Sequence, residues 1–289
     1  MRKTTLVIGL LIIGSIASAM GVVPPAPTPE AGTPTLEFVR EYGFAGSSDG
    51  QFYMPQDVNV SVMGDISTGL GNLFVADTGN NRIERMDDDG SFVYQFGRFG
   101  QDNGNFNSPV GLTVDFNLYI YAVDQENHRI QKFDIRGNYL NQWGSYGKDP
   151  GLFTYPRGIA IDSLGRIYVA DSGNDRIQQF DGDGNYMRLV GGFGVGEGFF
   201  DNPRDVAVDK ERNLYVADTD NNRIQVIDEY GRPMFSFGSN GTGDGNFYHP
   251  QGVAVDDRYI YVSDTGNNRI QVFSKKQGKF LSSFGIKGL

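Results

Sequence analysis

The chain of 289 residues carries a formal charge of −10, with 40 glycines, 13 % aromatic residues and no cysteine. The acidic balance repels phosphate backbones and argues against nucleic acid and anionic membrane surfaces as partners. The missing thiols exclude a disulfide framework and thiolate zinc sites.

Arg2 and Lys3 precede an apolar run from Leu6 to Ala17, and Ala17-Ser18-Ala19 has the small-x-small form of a signal-peptidase site. Residues 1–19 are therefore expected to be a signal peptide. The alternative is an uncleaved anchor, since Leu6 to Val23 is 18 mostly apolar residues, the lower edge of a membrane span. Both place the remainder outside the cytoplasm, secreted or at the cell surface, with membrane contact only through that segment. Removing residues 1–19 takes the charge to −12, because they hold two cations and no acid. Residues 20–35 are rich in proline from Pro24 to Pro34 and are expected to form a spacer.

From residue 36 the sequence is periodic. An eight-residue stretch recurs as DTGNNRIE from Asp77, DQENHRIQ from Asp124, DSGNDRIQ from Asp171, DTDNNRIQ from Asp218 and DTGNNRIQ from Asp264. Its arginines, Arg82, Arg129, Arg176, Arg223 and Arg269, are spaced 47, 47, 47 and 46 residues apart, the mark of a repeat architecture. The fourth copy shows the unit. Pro203–Asp209 reads as a short apolar strand, and Asn213–Asp218 as a strand apolar on both faces, hence sandwiched between layers. Thr219–Asn222 is an Asn- and Asp-rich hairpin turn, Arg223–Asp228 a third strand and Pro233–Gly238 an outer fourth. Four antiparallel strands repeated radially make an all-β fold, a β-propeller of four-stranded blades.

Between units lies a second repeat, Gly-x-Phe-x-x-Pro, beginning at Gly50, Gly104, Gly151, Gly198 and Gly245. The proline suits the first residue of the innermost strand, and the phenylalanine is expected to plug the space between blades. These connectors are the loops expected to carry function.

The tandem pattern V-A-V-D … I-Y-V-A-D-[ST]-x-N-x-R-I-Q over residues 36–289 resembles the NHL-repeat family. That resemblance implies a propeller, commonly six-bladed, used mostly for protein or ligand binding. Here the units number five, starting at Pro55, Pro109, Pro156, Pro203 and Pro250, with one extra N-terminal outer strand, Leu36–Gly43. Five blades are favoured over an incomplete ring finished by another chain. Leu36–Gly43 and Phe280–Gly285 compete for the last outer position.

Asp77, Asp124, Asp171, Asp218 and Asp264, with their arginines, are read as scaffold, each carboxylate accepting N–H groups of its own hairpin turn and each arginine pairing with it or reaching an adjacent blade. Function is sought where copies differ. The residue after the connector proline is Gln56, Val110, Arg157, Arg204 or Gln251, and the one before it Met54, Ser108, Tyr155, Asn202 or His249; all are expected around the channel mouth. Gln56, Arg157, Arg204, His249 and Gln251 are the candidate ligand-binding residues, with Arg157 and Arg204 suited to a carboxylate or sugar acid. The expected partner is a protein, or a small-molecule or glycan ligand, at that mouth.

No catalytic residue is assigned. Two histidines, His128 and His249, cannot form a three-His zinc site, and the histidines of lyase-type propellers have no clear counterpart. No cofactor is expected. A calcium-dependent lactonase-like site would draw on Asp57, Asn202 and Asp205. The chain is thus expected to be a non-catalytic binding scaffold, the alternatives being a lyase or calcium-dependent lactonase and a structural cell-surface component. Blade 1 carries an insertion around Ser61–Gly71, and Asn59-Val60-Ser61 and Asn240-Gly241-Thr242 are glycosylation sequons.

Overall fold

The computed structural model describes residues 42–61, 72–87 and 89–285. Residues 1–41, with the signal, the spacer and most of the extra strand, lie outside the described residues, as do residues 62–71 of the insertion. Five four-stranded sheets are present, each antiparallel with its strands in sequence order. Blade 1 consists of Asp57–Ser61, Asn72–Asp77, Arg82–Met86 and Phe92–Phe96. Blades 2 to 5 begin at Pro109, Pro156, Pro203 and Gly252 and end at Trp143, Gly191, Phe237 and Phe284. The fold is a five-blade β-propeller.

Apolar residues on both faces of the second strand explain why blades stack. Tyr215 and Ala217 of blade 4 pack with Val253, Ile260 and Phe273 of blade 5, while Leu214 and Val216 pack back on Ala170 and Ile177 of blade 3. Phe106, Phe153, Phe200 and Phe247 of the connectors are fully buried within these inter-blade cores, as expected of plugs.

The competition for the last outer position resolves locally. Phe280–Phe284 pairs with Arg269–Ser274 and completes blade 5. Tyr42, at the end of the other contender, packs with Phe52 over Leu73, Val75 and Met86 of blade 1. It meets Gly90 as Phe96 meets Gly137 and Trp143 meets Gly184, which is the place of a preceding outer strand. The connector after it forms a short parallel pair, Phe44–Ala45 with Gln51–Phe52, repeated as single bridges such as Phe99 to Phe106 before blade 2.

The recurring aspartates are scaffold, but not in the way their position suggests. The turns after them carry no side-chain cap; Asp124, for example, accepts no backbone N–H of its own turn. Instead Asp124 Oδ1 accepts the N–H of Asn107 in the preceding connector at 2.7 Å, and Oδ2 accepts from Arg129 Nε, Asn127 Nδ2 and Gln131 Nε2. Arg129 then donates to the connector carbonyls of Asp102 and Asn105 at 3.0 Å. The motif is a clamp with which each blade holds the connector entering it. Burial raises the carboxyl pKa of Asp124 and of Asp171 despite these donors.

Blade 1 departs from this clamp at Glu84, where the other blades have Gln131, Gln178, Gln225 and Gln271. Glu84 accepts Gly50 N–H and lies 2.7 Å from Arg82, but it cannot donate to Asp77 when ionised. Burial raises its pKa to about 7, with the neighbouring Asp77 charge adding to the rise. A carboxyl raised above its unfolded value stabilises the fold fully only below that lower value, and the contribution is lost as pH rises through 7. Glu84→Gln restores the missing donor. Thermal melts should show the variant about 2–5 °C more stable than the parent at pH 8, from about 1 kcal/mol for the regained hydrogen bond, and the gain should shrink toward pH 5.

Two further latches join successive blades. The left-handed residue closing each hairpin accepts the N–H of the residue before the next proline: Asn81 from Ser108, His128 from Tyr155, Asp175 from Asn202 and Asn222 from His249. The hydroxyls of Thr78, Ser172 and Thr219 donate to the carbonyls of Pro109, Pro203 and Pro250. Among the described residues, Thr265 and Asn268 of blade 5 make neither bond to blade 1.

Candidate functional site

The inner strands surround a channel of about 600 Å³. They approach so closely that a Cβ on Gly111 would meet the Arg157 carbonyl at 2.2 Å, and one on Gly158 would meet Asp205 Oδ1 at 2.3 Å. Asp57 and Asp205 occupy the equivalent position in blades 1 and 4. Each accepts its successor's N–H, from Val58 and Val206, and a strand N–H of the next blade, from Leu112 and Val253. Both oxygens of each are thereby committed to backbone. Burial raises Asp57 well above the usual carboxylate range, with the charge of Asp205 adding to it, and raises Asp205 to about 7. Asn202, the third residue considered for calcium, instead meets Asp220 at the rim.

At the mouth the register of the inner strands of blades 2, 3 and 4 slips just after the proline, a β-bulge that re-aims the following side chain. Arg157 and Arg204 occupy two of these bulges, on adjacent blades. Gln56, Val110, Arg157, Arg204 and Gln251 all line the channel, as expected of the residues after the proline.

The residues before the proline behave differently. Met54 lines the channel, whereas Ser108, Tyr155, Asn202 and His249 do not. All five share a left-handed backbone with φ between 49° and 58°, and the latches hold the last four at the blade seams. His249 thus sits apart from the other four candidates, its Nδ1 3.1 Å from Asp220 Oδ1.

Arg157 and Arg204 form no ion pair with a carboxylate among the described residues, in a chain with 35 acidic residues. Arg204 Nε is buried with no hydrogen-bond partner. Burial, and next the charge of Arg204, lower the Arg157 pKa to about 10. Arg157 is oriented by Gln125, whose amide oxygen, turned toward it, accepts from Nε and Nη2 at 3.1 and 3.3 Å. Gln125 was not singled out from sequence. Its signal was the hairpin itself, where the other four copies have Thr or Ser. Ser263, Thr265 and Arg269 of blade 5 also border the channel.

Comparison with known proteins supports the architecture. The NHL repeat family matches at residues 153–180, 200–227 and 247–273. No curated protein matches in sequence. Among solved structures, a streptogramin B lyase superposes with a TM-score of 0.61 at 18% identity, covering 86% of this chain and 72% of that one. A chain of the nidogen–laminin complex gives 0.58 at 18% identity, covering 74% and 75%. Virginiamycin B lyase from Staphylococcus aureus gives 0.57 at 18% identity, covering 81% and 70%. At that identity the likeness is one of fold. With three family matches falling on consecutive blades, each built on the same clamp, the chain is an NHL-repeat β-propeller.

Proposed function

We propose that the protein is an exported, non-catalytic binding scaffold that takes a carboxylate of its ligand on Arg157 and Arg204 at the channel mouth. One observation carries this reading: two neighbouring arginines without a carboxylate partner among the described residues, held in bulges over the channel of an acidic protein. Desolvating two like charges side by side is costly unless an anion answers them, and a guanidinium pair suits a bidentate carboxylate. The signal-like N-terminus and Pro-rich spacer support export to the medium or the cell surface. No cofactor enters the proposal.

A lyase reading has less support. A histidine-to-alanine variant of virginiamycin B lyase is catalytically inactive, and in this chain both histidines lie outside the channel lining. The fold also serves in a chain of a protein–protein complex, that of nidogen with laminin, which accords with binding.

A thermal-shift screen of carboxylate ligands, with and without calcium, should find stabilisers, and titration calorimetry should then show Arg157→Ala with Arg204→Ala weakening the best of them at least 10-fold. That follows from about 1.5–3 kcal/mol for each hydrogen bond to a charged group. Unchanged binding in the double variant would sink the proposal.

A further inference from the structure

The hairpin that orients Arg157 breaks the repeat more than any other. Its four residues are Gln125-Glu126-Asn127-His128, where the other copies read Thr/Ser, Gly/Asp, Asn and Asn/Asp. Gln125 lacks the hydroxyl that latches Thr78, Ser172 and Thr219 to the next proline carbonyl. That seam therefore gives up an inter-blade bond and gains a contact to Arg157 instead.

His128 keeps the left-handed backbone and the latch to Tyr155 N–H through Nδ1 at 3.1 Å. An accepting Nδ1 leaves the proton of the neutral ring on Nε2, available as a donor. The imidazole also sits between two exposed phenols, with centroids 5.0 Å from Tyr146 and 4.8 Å from Tyr155. Tyr146 is 68% exposed and Tyr155 46%. Neither ring contributes to a core; Phe99 and Phe193 hold the place of Tyr146 in two other connectors, exposed at 70% and 73%, while Tyr155 stands where no other copy has a phenol. The hairpin thus runs from the channel lip, where Gln125 meets Arg157, to an aromatic shelf at the rim. Glu126 projects into solvent between these ends, near enough for its charge to act on both Arg157 and His128.

We infer that this seam is a subsite for a carboxylated sugar, with the acid group on Arg157 and Arg204 and the ring over Tyr146, His128 and Tyr155. The inference rests on the carboxylate reading above and specifies its ligand class. A sugar acid presents one carboxylate, hydroxyl donors and an apolar C–H face. Those match, in turn, the guanidinium pair, the acceptor-only Glu126 and the exposed aromatic shelf. A polyacidic peptide offers the same carboxylate but brings further negative charge to Glu126.

The test uses the full chain and titration calorimetry with three probes: a tetrasaccharide carrying a single uronic acid, its carboxyl-reduced neutral counterpart and a tetra-glutamate peptide. The uronate should bind, and the other two at least 10-fold more weakly. Gln125→Thr, Glu126→Gly and His128→Asn together write the sequence of another blade's hairpin into this one. That variant should melt no lower than the parent yet bind uronate at least 10-fold more weakly, and Tyr146→Ala should lose about 5-fold. Equal or better binding of tetra-glutamate, or unchanged uronate binding in both the hairpin variant and Tyr146→Ala, overturns the sugar subsite. If Arg157→Ala with Arg204→Ala still abolishes binding in either case, the carboxylate reading stands alone; if it does not, both fall.

Discussion

Asp171→Ala should lower the unfolding free energy by about 3–5 kcal/mol, the usual cost of removing one partner from a buried charge pair. The melting temperature should fall by roughly 10 °C or more for a domain of this size. Asp171 is fully buried, and its two oxygens serve four donors. Oδ1 accepts Thr154 N–H at 2.7 Å; Oδ2 accepts from Arg176 Nε at 2.8 Å, Asn174 Nδ2 at 2.9 Å and Gln178 Nε2 at 3.0 Å. Alanine leaves all four without that acceptor and the guanidinium without its counter-charge. Arg176 keeps the carbonyls of Lys148, Asp149 and Leu152, so the damage should centre on the connector. Hydrogen exchange should therefore speed up first at Thr154 and its neighbours in the 145–155 segment. Asp149→Ala is the control: its side chain is exposed and, among the described residues, enters no hydrogen bond or ion pair, so the melt should move by no more than about 0.5 kcal/mol. Equal effects of the two substitutions would show that the clamp does not hold the blade.

The clamp also marks how far the sequence could be read. Asp, Asn and Arg recur at fixed spacing, and a period of 47 residues with alternating apolar positions is enough to give strands, blades and their number. The same letters do not say which way the polar groups reach. Asp124 looks placed to cap its own turn, yet the backbone N–H it accepts is that of Asn107, 17 residues upstream. The side-chain periodicity of a strand fixes a face, whereas a carboxylate at a strand end can bond in several directions. Glutamine at the end of the RIQ triplet was visible as a repeat and read only as strand, because an amide in an alternating pattern resembles a solvent-facing position. In the fold Gln131, Gln178 and Gln271 are fully buried members of the clamp.

The candidate site divides along the same line. Residues after the connector proline were placed at the mouth because a strand entering a propeller's inner edge must begin there. Those before it are expected there too, yet the left-handed backbone at Tyr155, Asn202 and His249 turns them to the seams. Gln125 and the Tyr146 shelf stay hidden for another reason: each contact joins residues far apart in the chain, Gln125 to Arg157 across 32 residues and His128 to Tyr146 across 18. The repeat period predicts that such neighbours exist but not what they do where the copies differ.

Phe200→Ala should cost about 3–5 kcal/mol, the range for emptying a fully buried aromatic site. Phe200 packs among Ile177, Val190 and Val206, at the joint between blades 3 and 4. Its ring lies over Gly191, where an added Cβ would come within 2.3 Å of it. Gly191 also holds φ at +85°, so a side chain there is strained irrespective of the space available. Gly191→Ala should thus destabilise through both strain and clash. Combining it with Phe200→Ala should remove the clash, so the double variant should lose less than the two single losses added together, by at least about 0.5 kcal/mol. Phe52 supplies an internal comparison, since it holds the same place before blade 1 but is only half-buried. Phe52→Ala should therefore cost less than Phe200→Ala in urea unfolding at equal m-value. A larger loss at Phe52 would mean that the segment around Tyr42 and Phe52 holds blade 1 more tightly than the internal blade joints hold one another.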